Sequence, residues 1–362
     1  MRSRPPDAAE PYPHEFPAPD VGRRWVAWVA RDDVADASVA PRTGRGPIRS
    51  SPASSGAGDR ASAYHTLWEI ALRYDALLDA HADLDIRAIV SLADMLCHLA
   101  RGHPELSIGM PNLLDMPSLA RRHSLHVAAV GILLAREMGL TLEDQHLLAC
   151  AALTMNPSVH ELQDQLSRQG NKPDAASGAR LRMHAWHAAE TLARLGVRDA
   201  RWLMAVGQHH ENLDGSGYPF GISDPAITLE ARILRTADVW CAFLSHRHHR
   251  SGRPPRQALR ELFRRERGKL DGSTLLALRH GMGYYPPGTV VRLANREVAL
   301  VTRWFEHHAR PDYVVSLLQA TGSPMDEHRI RDTSRAEFAI REYAHLPQRI
   351  PALDWSGVWA AA

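Results

Sequence analysis

Two adjacent histidines and a carboxylate, His209, His210 and Glu211, end an apolar helical run that includes Trp202, Leu203, Ala205 and Val206. Imidazole nitrogens ligate divalent metals and titrate near neutrality. A tight loop follows at once. Asp214-Gly215 and Gly217 are expected to supply its positive-φ positions, and Pro219 to stiffen its exit. Paired imidazoles at a helix end, backed by a rigid loop, predict a metal site beside a substrate cleft. The pair alone would equally suit a solvated helix C-terminus. The whole string from His209 to Pro219 points to the metal site. With 21 histidines in the chain, a single one carries little weight.

The elements that must position this string are helical. Leu67, Ile70, Ala71, Tyr74, Leu77 and Leu78 recur at helical spacing, as do Ile86, Ile89, Val90, Ala93, Leu96 and Cys97. A helix from about Pro117 carries His123, Val127, Val130, Leu134 and Met138, and Gly139 ends it. Thr141-Leu142-Glu143-Asp144 reads as a capping-box variant for the next helix, which Pro157 should stop. Leu162 to Ser177 is polar and loop-like. Helices are predicted from about Ala179 to Leu195 and from Asp199 to His210. Thr228 should cap a helix bearing Ile233, Leu234, Ala237, Trp240 and Leu244, and Pro254-Pro255 should open another. The pattern then changes to period two. Thr289–Leu293 and Val298–Thr302 flank a turn, and Tyr313–Leu317 could add a third strand. The fold class expected is mostly α, a helical bundle with a small antiparallel β appendage.

The chain has 362 residues and a net charge of +2, so bulk charge suggests neither a nucleic-acid nor a membrane surface. Its basic residues are almost all Arg, Lys172 and Lys269 being the exceptions. Cys97, Cys150 and Cys241 sit in apolar helical contexts and read as free thiols, predicting a reducing, cytoplasmic location. No apolar run reaches membrane-spanning length, and the N-terminus has no signal-peptide core. Residues 1–60, rich in Pro, Ala, Arg, Gly and Ser, are expected to be disordered, with Trp25–Val29 as a patch that could dock.

The string from His209 to Pro219 resembles the HHExxDGxGYP signature of the HD-GYP family at every fixed position. That family is a branch of the HD metal-dependent phosphohydrolases, and its usual activity is hydrolysis of cyclic di-GMP. The resemblance covers about residues 85 to 320. It divides the chain into a helical subdomain at 61–116, an HD-GYP domain at 117–285, a β appendage at 286–320 and a tail at 321–362. It implies that His123, His184, His209, His210 and Asp238 are metal ligands. It also implies basic substrate contacts after the late aspartate, where Arg247 and Arg250 fall; these residues could equally form a solvated basic loop. Tyr218 and Asp214 of the loop complete the candidate substrate contacts, and the loop could instead serve a protein partner.

One family feature is missing. Where the family reads approximately AALLHDIGK, this chain reads Ala151-Ala152-Leu153-Thr154-Met155-Asn156-Pro157-Ser158-Val159. Met155 and Asn156 replace the His-Asp dyad. A thioether is a poor ligand for hard divalent ions, and an amide cannot neutralise charge between two cations. His160 could be a rescue ligand. The expectation is a divalent ion, iron or manganese, bound once rather than two or three times. The function expected is a cyclic di-GMP phosphodiesterase-like protein with weak or lost hydrolysis. The alternatives are a non-catalytic cyclic di-GMP receptor or docking module, and a single-metal hydrolase of another nucleotide.

Overall fold

The computed structural model describes residues 57–79, 84–170, 172–246, 251–304, 310–346 and 353–362. The disorder expected for most of residues 1–60 and the Trp25–Val29 patch lie outside them, as do Arg247 and Arg250. Helix α1 (Ala57–Asp79) and α2 (Ile86–Gly102) form a front layer, joined through the short α3 (Pro104–Gly109) to the body. Helix α4 (Leu119–Glu137) starts where Ser118 Oγ accepts the Arg121 N–H, 3.1 Å away. Its residues from Ser124 to Ala135 are all buried, so it is the central element rather than an amphipathic surface helix. Helix α5 (Leu142–Thr154) opens with the capping box of Thr141 and Asp144 that its sequence announces, and it packs along α4.

Helices α7 (Ala175–Arg194), α8 (Ala200–Gln208) and α9 (Leu229–Leu244) begin at Asp174, Asp199 and Thr228, each side chain accepting a backbone N–H of the first turn. Burial of Ile233, Leu234, Ala237, Trp240 and Cys241 fastens α9 against α4 and α8. Helix α10 (Pro255–Arg265) follows the proline pair as expected. All three cysteines are free; Cys150 and Cys241 are buried, and the half-buried Cys97 thiol is pushed by burial up to about 12, which disfavours the reactive thiolate.

Three expectations need correction. The polar stretch after Pro157 is not a loop: α6 (His160–Gln169) forms there, burying His160, Leu162, Asp164 and Ser167. Asp164 is held by a tertiary contact, accepting the Ala120 N–H at 2.9 Å, which local polarity could not reveal. A further helix, α11 (Gly272–Met282), went unrecognised, although Asp271 caps it by accepting from Ser273 N and Thr274 N. The β segment does not end at residue 320. Strands β1 (Val290–Leu293), β2 (Val298–Leu300) and β3 (Tyr313–Leu318) are joined by β4 (Ile330–Asp332) and β5 (Ile340–Tyr343) in the antiparallel order β4-β3-β2-β1-β5. Short, half-exposed edge strands carry too few alternating apolar residues to be seen in sequence.

The sheet obeys period two. Val290, Leu300 and Val315 face the helical core, while Val291, Leu293, Ala299, Val301 and Val314 form a small second cluster beneath Phe338 and Ile340. Glu297 on the β1–β2 turn accepts from Arg331 through both oxygens, at 2.6 and 2.7 Å, and from Ser316 Oγ at 2.6 Å, tying β3 and β4 to the hairpin. The last helix, α12 (Trp355–Ala361), returns to α1 and buries Trp359. No described helix is long and apolar enough to cross a membrane.

Tyr74 of α1 reaches across the body. Its hydroxyl donates to the Leu153 carbonyl at 2.8 Å, just before the Met155-Asn156 pair, and Trp202 Nε1 donates to Thr154 Oγ1 at 2.9 Å. Tyr74→Phe leaves that buried carbonyl unpaired and should cost about 1–3 kcal/mol. Urea unfolding should show a lower midpoint at unchanged slope. An unchanged midpoint would mean that the bond contributes nothing to the end of α5.

Candidate metal centre

Helix α8 ends where the loop takes over. Gln208 Oε1 accepts the Thr228 N–H at 3.0 Å, so the last residue of α8 is tied to the N-cap of α9. The two helices therefore arrive at the site as a unit. Between them the loop folds back on itself: the Tyr218 N–H donates to the His210 carbonyl at 3.2 Å, and the Phe220 N–H to Glu211 Oε1 at 2.7 Å. Gly215 has φ +76°, as its sequence suggests. Gly217 does not take positive φ and is required for another reason. A Cβ there would lie 2.4 Å from both Asn212 N and Glu211 Cα and 2.6 Å from the His210 carbonyl oxygen.

Three imidazoles converge. One ring nitrogen from each of His184, His209 and His210 lies within 4.8 Å of the others. His184 Nδ1 donates to the Leu181 carbonyl at 2.5 Å, and His209 Nδ1 to the Val206 carbonyl at 2.6 Å. Each bond fixes the tautomer with the proton on Nδ1 and leaves the Nε2 lone pair free. Those two Nε2 atoms face each other at 3.2 Å. Nitrogens bound about 2.0–2.1 Å from one ion are about 3–3.4 Å apart at tetrahedral or octahedral angles. The tautomers and spacing of His184 and His209 thus fit one divalent ion, and a ring nitrogen of His210 lies within 4.8 Å of both. Burial, then the neighbouring His209, holds His184 down at about 3, and burial lowers His209 and His210 as well, so all three stay in the neutral, ligating form.

His123 and Asp238 join the cluster from α4 and α9. Burial alone would raise the Asp238 carboxyl, but the His123 Nε2 contact at 2.8 Å, with Arg235 and His209 nearby, holds it at about 2. Its other oxygen lies 3.9 Å from His210 Nδ1 and 3.7 Å from Arg235 Nη1. Contacts therefore link all five candidate ligands, although Asp238 is shared among three cationic or protonatable neighbours, His123, His210 and Arg235.

The remaining candidates divide. Tyr218 stacks on His210, with ring centroids 4.6 Å apart at 26°, so it walls the histidine cluster. Asp214 is exposed, and its Oδ1 accepts from Ser216 N at 3.0 Å and Ser216 Oγ at 2.6 Å; it shapes the turn instead of reaching the cluster. Glu211 is also a loop residue, and burial pushes its carboxyl up to about 7 despite the backbone donors around it. His160 is buried with Nε2 3.2 Å from Ser124 Oγ. Met155 is fully buried, and Asn156 is 2% exposed with Oδ1 lacking any hydrogen-bond partner. An orphaned amide oxygen is a neutral acceptor where the family pattern has a charged one.

Arg235 was missed. It donates twice to Asn212 Oδ1, at 3.2 Å from Nε and from Nη2, and lies 3.4 Å from His210 Nδ1. Its signal was its place one turn before Asp238 on the same face of α9.

The buried imidazoles outside the cluster give a pH expectation. Burial first, then neighbouring positive groups, holds His126 and His160 at about 3. Above the ordinary value of 6.5 they are neutral folded or unfolded. As pH falls from there toward 3, the unfolded chain takes up protons that the folded chain refuses. Stability should drop by up to about 1.4 kcal/mol per pH unit per group. Unfolding free energies in urea from pH 7 to 4 check this; a flat profile would contradict it.

A sequence profile of the HD domain family matches residues 99–274. The chain is 28% identical over 228 residues to a cyclic di-GMP phosphodiesterase of Pseudomonas aeruginosa, covering 63% of this chain and 54% of that protein. It is 30% identical over 164 residues to 3'3'-cGAMP-specific phosphodiesterase 3 of Vibrio cholerae, covering 45% of this chain and 35% of that protein. The chain thus spans about half the length of these curated relatives, or less. Its fold resembles a solved HDG"Y"P protein from Bdellovibrio bacteriovorus, with a TM-score of 0.52 and 14% identity over 71% of this chain and 76% of that one.

Proposed function

The chain carries an HD-GYP family domain, and from that premise we propose that it binds a cyclic dinucleotide, cyclic di-GMP first, and hydrolyses it weakly or not at all. HD-type phosphohydrolases are metal-dependent, and the histidine triad is the place for an ion. Our reading is a single ion, iron or manganese, held mainly by His184, His209 and His210. When bound, a divalent ion supplies Lewis acidity at the phosphodiester. The chain's own contribution is to keep three imidazoles neutral and aimed, to hold Asp238 ionised against His123 and Arg235, and to wall the site with Tyr218.

The observation that carries the reading is the split state of the site. The triad and the loop around it are intact and preorganised, while Met155 and the unpaired Asn156 stand where the His-Asp dyad belongs. The ligands of one ion survive, and the charged group that would hold a second is gone. The receptor alternative differs only in turnover. Cytoplasmic location and a protein partner on the loop remain part of the proposal.

Metal analysis of the purified chain, with binding and product formation measured for cyclic di-GMP and for 3'3'-cGAMP, tests this. The expected result is at most one tightly held ion, measurable binding and little linear product. Two or more ions at high occupancy, or no binding of either dinucleotide, would defeat the proposal.

A further inference from the structure

A second cleft, of about 430 Å³, opens where the helical body meets the sheet. Arg122 and His126 of α4, Trp240 of α9, Arg253 ahead of α10 and His345 beyond β5 line it, and no acidic residue does among those described. Three of its nitrogens are buried and have no hydrogen-bond partner: His126 Nδ1, Trp240 Nε1 and Arg253 Nη1. Trp240 is fully buried and His126 only 3% exposed, so bulk water does not satisfy them. Indole and guanidinium nitrogens can only donate. Folded chains rarely leave such donors buried and unpaired, because each has lost its water without a replacement.

The position of Arg253 is built, not incidental. The chain returns against the end of α9 at Gly252, where a Cβ would sit 2.0 Å from the Leu244 carbonyl oxygen. The Arg253 N–H then donates to the Phe243 carbonyl at 2.7 Å, and the guanidinium carbon lies 4.6 Å over the Phe243 ring. Nor is the cleft part of the metal centre. None of His184, His209, His210 and Asp238 lines it. Successive helix residues turn by about 100°, so Trp240 and Leu244 point about 200° and 240° round α9 from Asp238.

We infer that this cleft is a separate binding site for a small organic anion, whose phosphate or carboxylate oxygens accept from Trp240, Arg253 and His126. Its volume lies in the range of small-molecule sites, which favours an organic anion over a bare inorganic ion. A wall with two arginines and no carboxylate supplies the charge. The inference does not depend on cyclic dinucleotide binding at the metal centre, and it stands if that reading falls.

Thermal unfolding of the full chain with 5'-GMP, citrate or inorganic phosphate tests it. A ligand that binds only the folded state raises Tm with concentration. GMP or citrate should raise Tm at millimolar concentration, and inorganic phosphate should do so less. Trp240→Phe keeps an aromatic, though smaller, ring and removes the unpaired donor; it should fold, retain its metal content and lose most of the shift. Arg253→Met keeps the stem over Phe243 and should lose it too. No shift with either organic anion would overturn the inference. So would a shift that survives in both variants, or one given by inorganic phosphate alone, which would mark an adventitious ion only.

Discussion

Replacing Met155 with His and Asn156 with Asp together should raise both metal content and turnover of cyclic di-GMP. Outer-shell partners of a metal ligand are worth about 10–100-fold in affinity or activity, and a ligand itself should be worth at least as much. We therefore expect a gain on the order of 100-fold in turnover from the double variant. Met155 is fully buried at the end of α5, a position anchored by the Tyr74 bond to Leu153 and the Trp202 bond to Thr154. The backbone that would present the new side chains is thus already fixed. Asn156→Asp changes no volume and converts the orphaned oxygen into a charged one. Alone, however, it buries a carboxylate without a second ion to neutralise it, so it should be less stable and little more active. Met155→His alone adds an imidazole without the bridging charge. Ligands of one site act as a unit, so the two single gains should sum to far less than the double gain. Met155→Leu is the control and should change neither metal nor turnover. If the unmodified chain hydrolyses cyclic di-GMP as fast as the double variant, Asn156 or His160 is already an adequate ligand, and the missing dyad misleads.

The second large effect concerns Gly217. Gly217→Ala should destabilise the chain by about 3 kcal/mol and abolish metal retention. The new methyl would lie 2.4 Å from Asn212 N and Glu211 Cα, both backbone atoms with no rotamer in which to escape. The strand of loop that must move includes His210 itself, whose carbonyl accepts the Tyr218 N–H and whose ring stacks on Tyr218. Gly215→Ala is the comparison. There φ is +76°, but the nearest atom to a Cβ is 3.5 Å away. Only the left-handed backbone is penalised, by about 1–2 kcal/mol, and the metal should stay. Chemical denaturation with metal analysis of the refolded fraction distinguishes the two. Equal losses at both positions would show that loop flexibility, and not the approach to His210, sets the glycine requirement.

Much of this was legible in the sequence, because it depends on local chemistry. Thr141 and Asp144 state a capping box that needs only four residues to form, and the string His209 to Pro219 states a helix end and a turn. The hairpin of Val290–Leu293 and Val298–Leu300 follows from period two. The absent dyad is visible as two letters, Met155 and Asn156, and no fold is needed to see that charge has been lost. Tertiary structure alone decided the rest, since it concerns which atoms face each other. Helix α6 exists because Leu162 and Asp164 find the body of the protein, not because their own stretch favours a helix. Gly217 is needed for a contact seven residues back in the chain, with His210, and not for a dihedral angle. Arg235 is one arginine among many until α9 lays it against Asn212 and His210. The two Nε2 lone pairs of His184 and His209, 25 residues apart, meet only because α7 and α8 pack together and their own carbonyls hold the Nδ1 protons.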